Sequence, residues 1–203
     1  MQITDKFIVI NIRELITKDN AKLGEKSLDE ILSEFSCPLN PDVERFLKHS
    51  AVEFTKKNQS VTYLVFNRDN CILLGYFTLA LKPLTVRGST ISNAVGRKLA
   101  RISEVNEQMK TYTMAAYLIA QLGKNFTAEA EHLITGKDIL DLAQDRLLQA
   151  QCLCGGVVTF LETYNEEKLL LFYDRNLFRQ FDIRQKILPD GKKYELVQLL
   201  RLF

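Results

Sequence analysis

The sequence predicts a mixed α/β sheet, and three observations carry that expectation. Strand-length apolar runs rich in β-branched and aromatic residues recur, among them VTYLVF at 61–66 and VVTFL at 157–161. Segments with helical spacing of apolar residues stand between them. From Tyr112 onward the order reads strand, helix, strand, helix, strand, which places the helices against the sheet.

At 203 residues the chain fits one domain with a full core, and we read 1–203 as a single domain with an inserted helix at 87–110. Hydrophobic content of 46% and charged content of 26% are those of a soluble globular protein. A net charge of +2 permits an anionic ligand such as a nucleotide cofactor or RNA without requiring one. No stretch approaches the roughly 20 apolar residues of a membrane span. The opening MQITDKFIVINIREL has Asp5 before its apolar run and no small-residue cleavage site, so a cytoplasmic protein without a signal peptide is expected. Four cysteines (Cys37, Cys71, Cys152, Cys154) are too few for a disulfide-built fold of this size. Cys152-x-Cys154 matches zinc-ligand spacing poorly and His49 and His132 stand alone, so reduced thiols and no metal site are expected.

Taken in order, residues 7–16 read as a first strand and 27–35 as a short helix. Asn40-Pro41-Asp42 opens a helix with a capping side chain, a proline at the first position and an acid. Val43, Phe46, Leu47, Ser50, Ala51 and Phe54 share one face of it, and His49 lies off that stripe in solvent. Val61–Phe66 and Cys71–Leu81 pair as a hairpin through the turn formers Asn67 to Asn70. In 87–110, Leu99, Ile102 and Val105 form a narrow apolar face. Arg97, Lys98 and Arg101 point outward there, either as a solvated face or toward RNA phosphates. Tyr112–Leu122 is a strand, and Thr135 caps a helix through Leu148 with Asp138 in a capping-box arrangement. A strand at 155–164 breaks at Asn165, which caps a helix carrying Leu169, Leu170, Phe172 and Tyr173, and Asn176 closes it in a left-handed turn. Strands near 178–184 and 194–201 turn at Asp190-Gly191.

The segment Gly155 to Phe178, GGVVTFLETYNEEKLLLFYDRNLF, resembles the last third of the GNAT family of N-acetyltransferases, which runs strand, Asn, helix, "fYeknGF". The resemblance implies a mostly antiparallel sheet flanked by helices and splayed between the strands at 112–122 and 156–163. It also implies that Tyr173 lies near the thiol of acetyl-coenzyme A as the general acid. From the residues alone, Tyr173 is equally an aromatic anchor of its helix. Leu177 stands where the family has glycine, so a less sharp turn is expected there. AAYLIAQLGKNF is similar to the family strand "lLgrLaVd", which nominates Gln121, Leu122 and Gly123 for the pantetheine arm. HLITGKD at 132–138 stands where the family has R/Q-x-x-G-x-G/A, nominating Gly136 and Lys137 for the pyrophosphate, with Asn165 completing the cofactor-binding set. Asp138 departs from that pattern by placing a negative charge near the phosphates.

The N-terminal half carries a second resemblance. Phe35-Ser36-Cys37, Phe46-Leu47, Ala51, Val61 to Val65 and Leu74-Gly75-Tyr76-Phe77-Thr78-Leu79 are similar to the GNAT branch that includes toxins acetylating aminoacyl-tRNA. The implied activity is acetyl transfer from acetyl-CoA, as cosubstrate, to a primary amine by direct attack. The alternatives are a binding or regulatory module that has lost catalysis, and a toxin acting on aminoacyl-tRNA. The acceptor (small molecule, protein or aminoacyl-tRNA), a homodimer and an antitoxin partner stay open. No general base is identifiable; Glu104, Glu107 and Glu162 are candidates by sequence neighbourhood only.

Overall fold

The first apolar run makes a shorter strand than its composition suggests. In the computed structural model, which describes residues 2–16, 27–187 and 193–203, strand β1 (Gln2–Ile3) pairs with β2 (Phe7–Asn11). At Asn11 the chain turns into helix α1 (Ile12–Ile16), because the Asn11 side chain accepts from the Arg13 amide and satisfies a helix-start donor. The strand read over 7–16 is thus a strand and a helix. The Asp190-Gly191 turn falls outside the described residues.

The contacts divide the chain into two compact units, Met1–Ala80 with Ile119–Ala150, and Leu81–Leu118 with Gln151–Phe203. In the first unit, helix α2 (Leu28–Ser33) opens on a capping box in which the Ser27 hydroxyl accepts from the Glu30 amide and the Glu30 carboxylate accepts from the Ser27 amide. Asn40 caps α3 (Pro41–His49), and Ser50, at φ −123°, separates it from α4 (Ala51–Lys56), so one expected helix becomes two. His49 is exposed. Strands β3 (Val61–Asn67) and β4 (Leu73–Arg87) form the expected antiparallel hairpin, and the Asn67 side chain accepts from the amides of Asp69 and Asn70 in its turn. The strand order there is β1-β2-β3-β4-β6, β6 being Thr111–Lys124. Its core joins Ile10, Ile12, Phe35, Leu47, Leu64, Phe66 and Tyr76.

Two features of this unit act on the end of β6. A Cβ on Gly75 would come within 2.5 Å of the Gly123 carbonyl oxygen, and one on Gly123 within 2.6 Å of Val43 and 2.7 Å of Tyr76. Both glycines are therefore demanded by close approach. Buried Asn125 accepts from the amides of Ser36 and Thr127 and donates its side-chain amide to the Leu73 carbonyl. A single side chain thus ties the end of β6 to the start of β4 and to the Phe35–Cys37 segment.

The second unit contains the far half of β4, a 3₁₀ turn (Gly88–Thr90), helix α5 (Asn93–Leu99), strand β5 (Glu104–Asn106) and the near half of β6. It continues with strand β7 (Val158–Tyr164), helix α7 (Glu167–Arg175) and strands β8 (Arg179–Ile187) and β9 (Lys193–Leu202). Within 87–110 the helix spans seven residues, with Leu99 buried and Ile102 and Val105 exposed. The order is β6-β7-β9-β8 with β5 beside β6; β7 runs parallel to β6, while β9 is antiparallel to both β7 and β8. The parallel ladder is only Tyr117 opposite Thr159 and Leu118 opposite Phe160. Leu84, Val86, Leu99, Met114, Val158, Phe160, Phe181 and Leu200 make the core of this unit.

Candidate active site

The candidate residues fall on β6 and the helix after it in the first unit, and on α7 and the Asn165 turn before it in the second. In the first unit, Ile119–Lys124 is the last strand of the order, so its outer edge presents backbone N–H and C=O groups with no strand partner inside that unit. Gln121 and Leu122 are half-buried on this strand, while Gly123 is buried and packed on the core. An extended amide-bearing arm can pair with such an edge as an added strand would. This edge fits a pantetheine arm.

Helix α6 (Gly136–Cys154) follows. Thr135 caps it: its hydroxyl accepts from the Asp138 amide at 3.2 Å, and the Asp138 carboxylate accepts from both the Thr135 amide at 2.8 Å and the Thr135 hydroxyl at 2.6 Å. This is a capping box with aspartate in place of glutamate. Gly136 and Lys137 are the next amides of the helix start, and the exposed Lys137 ammonium pairs with Asp141 one turn on. The positive end of the helix therefore already faces a carboxylate of its own, and the nearest lysine is engaged by another. These residues fit a bound phosphate less well than the β6 edge fits pantetheine.

In the second unit Tyr173 is buried near the end of α7, its ring edge-on to Phe172 at 5.0 Å and to Phe178 at 5.8 Å between centroids. Burial pushes its phenol up to about 12, so it stays protonated through the neutral range. The ring is fixed by the way the helix ends. The Phe178 amide donates to the Tyr173 carbonyl and the Leu177 amide to the Asp174 carbonyl, a Schellman closure whose hydrophobic contact is the Tyr173–Phe178 pair. Leu177 holds the left-handed position at φ +68°, while Asn176, at φ −98°, donates its side-chain amide to the Phe172 carbonyl. The expectation that Asn176 takes the left-handed position is corrected: the closure bends at the residue after it, and leucine bears the strain. The closure forms with leucine in the position glycine usually takes.

Asn165 also differs from its expected part. The cap position of α7 is Glu166, with no side-chain hydrogen bond, and the exposed Asn165 amide donates to Glu195 at 3.1 Å. Glu162 is engaged as well, accepting from Gln198 at 2.7 Å with Arg184 at 3.7 Å.

Sequence reasoning missed Tyr117, which sits at the short parallel ladder. Its hydroxyl donates to the Gly155 carbonyl and lies 3.2 Å from the Cys154 sulfur, and its ring packs where a Cβ on Gly156 would be. Burial and then the Cys154 contact push it up to about 12. The adjacent glycines at 155 and 156, both at positive φ, were the available signal that something closes over them. Among the described residues no helix is long and apolar enough to cross a membrane, and no three His, Cys, Asp or Glu side chains come together as a metal site.

The described strands form a mixed, mostly antiparallel sheet with a two-residue parallel contact, β9 lying between β7 and β8. No protein-family model and no curated protein matches the sequence. Among solved structures the chain is similar to AtaT complexed with acetyl-methionyl-tRNAfMet, at 14% identity and a TM-score of 0.62, covering 93% of each chain. It is similar also to a tyrosine-to-phenylalanine variant of KacT, at 14% identity and a TM-score of 0.60 over 95% of each. A third is a tyrosine-to-phenylalanine variant of the toxin AtaT bound to acetyl-CoA and the C-terminus of the antitoxin AtaR. That likeness has 14% identity and a TM-score of 0.54, over 95% of this chain and 94% of that one. At these identities the likeness establishes the fold.

Proposed function

We propose that the protein is a single-domain N-acetyltransferase that transfers acetyl from acetyl-CoA to a primary amine by direct attack. The observation that carries this reading is the likeness to AtaT, which spans 93% of each chain. Backbone groups on the outer edge of the Gln121, Leu122 and Gly123 stretch would hold the pantetheine and polarise the thioester carbonyl. Gly136 and Lys137 would meet the pyrophosphate, and Asn165 would complete the cosubstrate contacts. The amine attacks the carbonyl carbon, the C–S bond breaks, the thiolate leaves with the Tyr173 proton, and the nitrogen's proton passes to water, from which the phenol is restored. A phenol held at about 12 serves here only as a donor, never as a base. An acceptor amine of already low pKa needs no strong base, and the α-amino group of an aminoacyl ester is such an amine.

The neighbour bound to acetyl-methionyl-tRNA favours aminoacyl-tRNA as acceptor, which would make the protein a toxin of the cytoplasm with an antitoxin partner. The rival, a module that has lost catalysis, is favoured by one observation, the carboxylate of Asp138 at the start of α6. Calorimetry with acetyl-CoA separates them: saturable binding, followed by a mass gain of one acetyl on a supplied aminoacyl-tRNA, is expected. Lack of saturable binding refutes the enzyme. Growth arrest on expression supports the toxin, and harmless overexpression counts against it.

A further inference from the structure

Charge is unevenly divided along this chain. Residues 81–118 hold six Lys or Arg against two Glu, a net +4, whereas the whole chain is only +2, so the remainder is acidic by two charges. The segment is a folded arm of the second unit. Leu84, Val86, Leu99 and Met114 lie in its core, and α5 is seated where the Tyr112 hydroxyl packs on Gly88 and Gly96. A Cβ on Gly96 would come within 3.3 Å of that hydroxyl. With Gly96 and Leu99 facing inward, Arg97, Lys98 and Arg101 are left exposed at the end of the helix.

None of these three cations has an ion-pair partner among the described residues. Arg87 on the same arm, by contrast, pairs with Asp182 at 2.6 Å. The negative end of a helix favours cations by about 0.3–1 kcal/mol each, but that does not account for the missing carboxylates. Three unneutralised cations within five residues, at the end of a helix seated on the core of its unit, suit a regularly spaced polyanion. An acidic protein segment would also seek apolar anchors. Of the exposed apolar side chains here, Leu81, Val105 and Met109 are separated from the cations in sequence, the last two lying near Glu104 and Glu107, and only Ile102 adjoins them.

We propose that this basic face of the arm, Arg97, Lys98 and Arg101, binds the phosphate backbone of an RNA and so positions a nucleic-acid-borne acceptor. The inference rests on the aminoacyl-tRNA reading. The experiment measures binding of deacylated tRNA from about 50 to 200 mM salt for the wild type and for Arg97→Gln/Lys98→Gln/Arg101→Gln. Three lost phosphate contacts should flatten the slope of log affinity against log salt by about 2 and weaken binding about a hundredfold at 0.1 M salt. Calorimetry with acetyl-CoA should give the same affinity for both, showing that the variant is folded. Glu104→Lys/Glu107→Lys should move binding the other way, tighter and steeper. An unchanged slope in the triple variant overturns the proposal, as does absence of tRNA binding by the wild type. Polyglutamate bound as tightly as tRNA, and lost in the same variant, also overturns it in favour of an acidic protein. If the wild type binds tRNA through this face yet acetylates no aminoacyl-tRNA, the acceptor reading falls and the arm stands. If it acetylates aminoacyl-tRNA and the triple variant keeps the same KM, the arm falls and the reading stands.

Discussion

Leu177 is one of four non-glycine residues at positive φ in the described chain, with Asn58, Cys71 and Lys110. A Cβ-bearing residue in the left-handed region costs about 1 kcal/mol relative to glycine, and Leu177 sits there at φ +68° with its side chain exposed. Leu177→Gly is therefore expected to raise stability by about 0.5–1 kcal/mol, read as a higher denaturation midpoint. A lower midpoint would show that the side chain packs more usefully than its exposure indicates. Four residues earlier, Tyr173→Phe removes one oxygen from a buried ring. Turnover should fall about a hundredfold or more, the scale of a lost general acid, while acetyl-CoA affinity stays near wild type. Unchanged turnover would leave Tyr173 as an anchor of α7 only.

At the scale of elements, α6 and the end of β6 pull in different directions. The Thr135–Asp138 box supports the helix start, and Asp138→Ala should cost about 1 kcal/mol of stability. The same change removes a negative charge from the helix start, so under the proposed function acetyl-CoA should bind more tightly by calorimetry. Tighter binding with lower stability is a combination that a merely structural aspartate does not give. At the β4–β6 approach, Gly75→Ala drives a Cβ into the Gly123 carbonyl oxygen at 2.5 Å. Backbone cannot yield as a side-chain tip can, and a loss of about 1–3 kcal/mol is expected in chemical denaturation.

Over the whole molecule, phenols give the pH response. Burial raises Tyr63, Tyr76, Tyr117 and Tyr173 above their ordinary value near 10, Tyr117 and Tyr173 to about 12. In the unfolded chain these groups lose their protons first, as pH passes about 10. The stability they contribute is thus fully present below pH 10 and is lost as pH rises toward 12. For Tyr173 alone two pKa units correspond to about 3 kcal/mol. Phenolate absorbance should show four of the seven tyrosines titrating late and together with unfolding. A titration complete by about pH 11 with the fold intact contradicts their burial.

How much of this the sequence disclosed depends on the range of the interaction. Local signals read true: the Asn40 and Thr135 caps and the turn after Asn67 involve side chains bonding within three residues of themselves. The same chain order carried the resemblance that led to the fold. Misreadings arose where near neighbours compete for one role. Asn11 ended a strand that its apolar run would have continued, and Glu195 took the amide of Asn165 from across thirty residues. Leu177 took the bend expected at Asn176 because the carbonyls of Tyr173 and Asp174 had to be met. By itself the sequence determined most of the elements and their order, the candidate acid and the basic content of the 81–118 arm. Only the tertiary structure decided that Gly75 and Gly123 are close-packed, that Tyr117 locks the turn at Gly155, and which cations lie unpaired. Such facts depend on contacts between residues far apart in the chain, which no local pattern encodes.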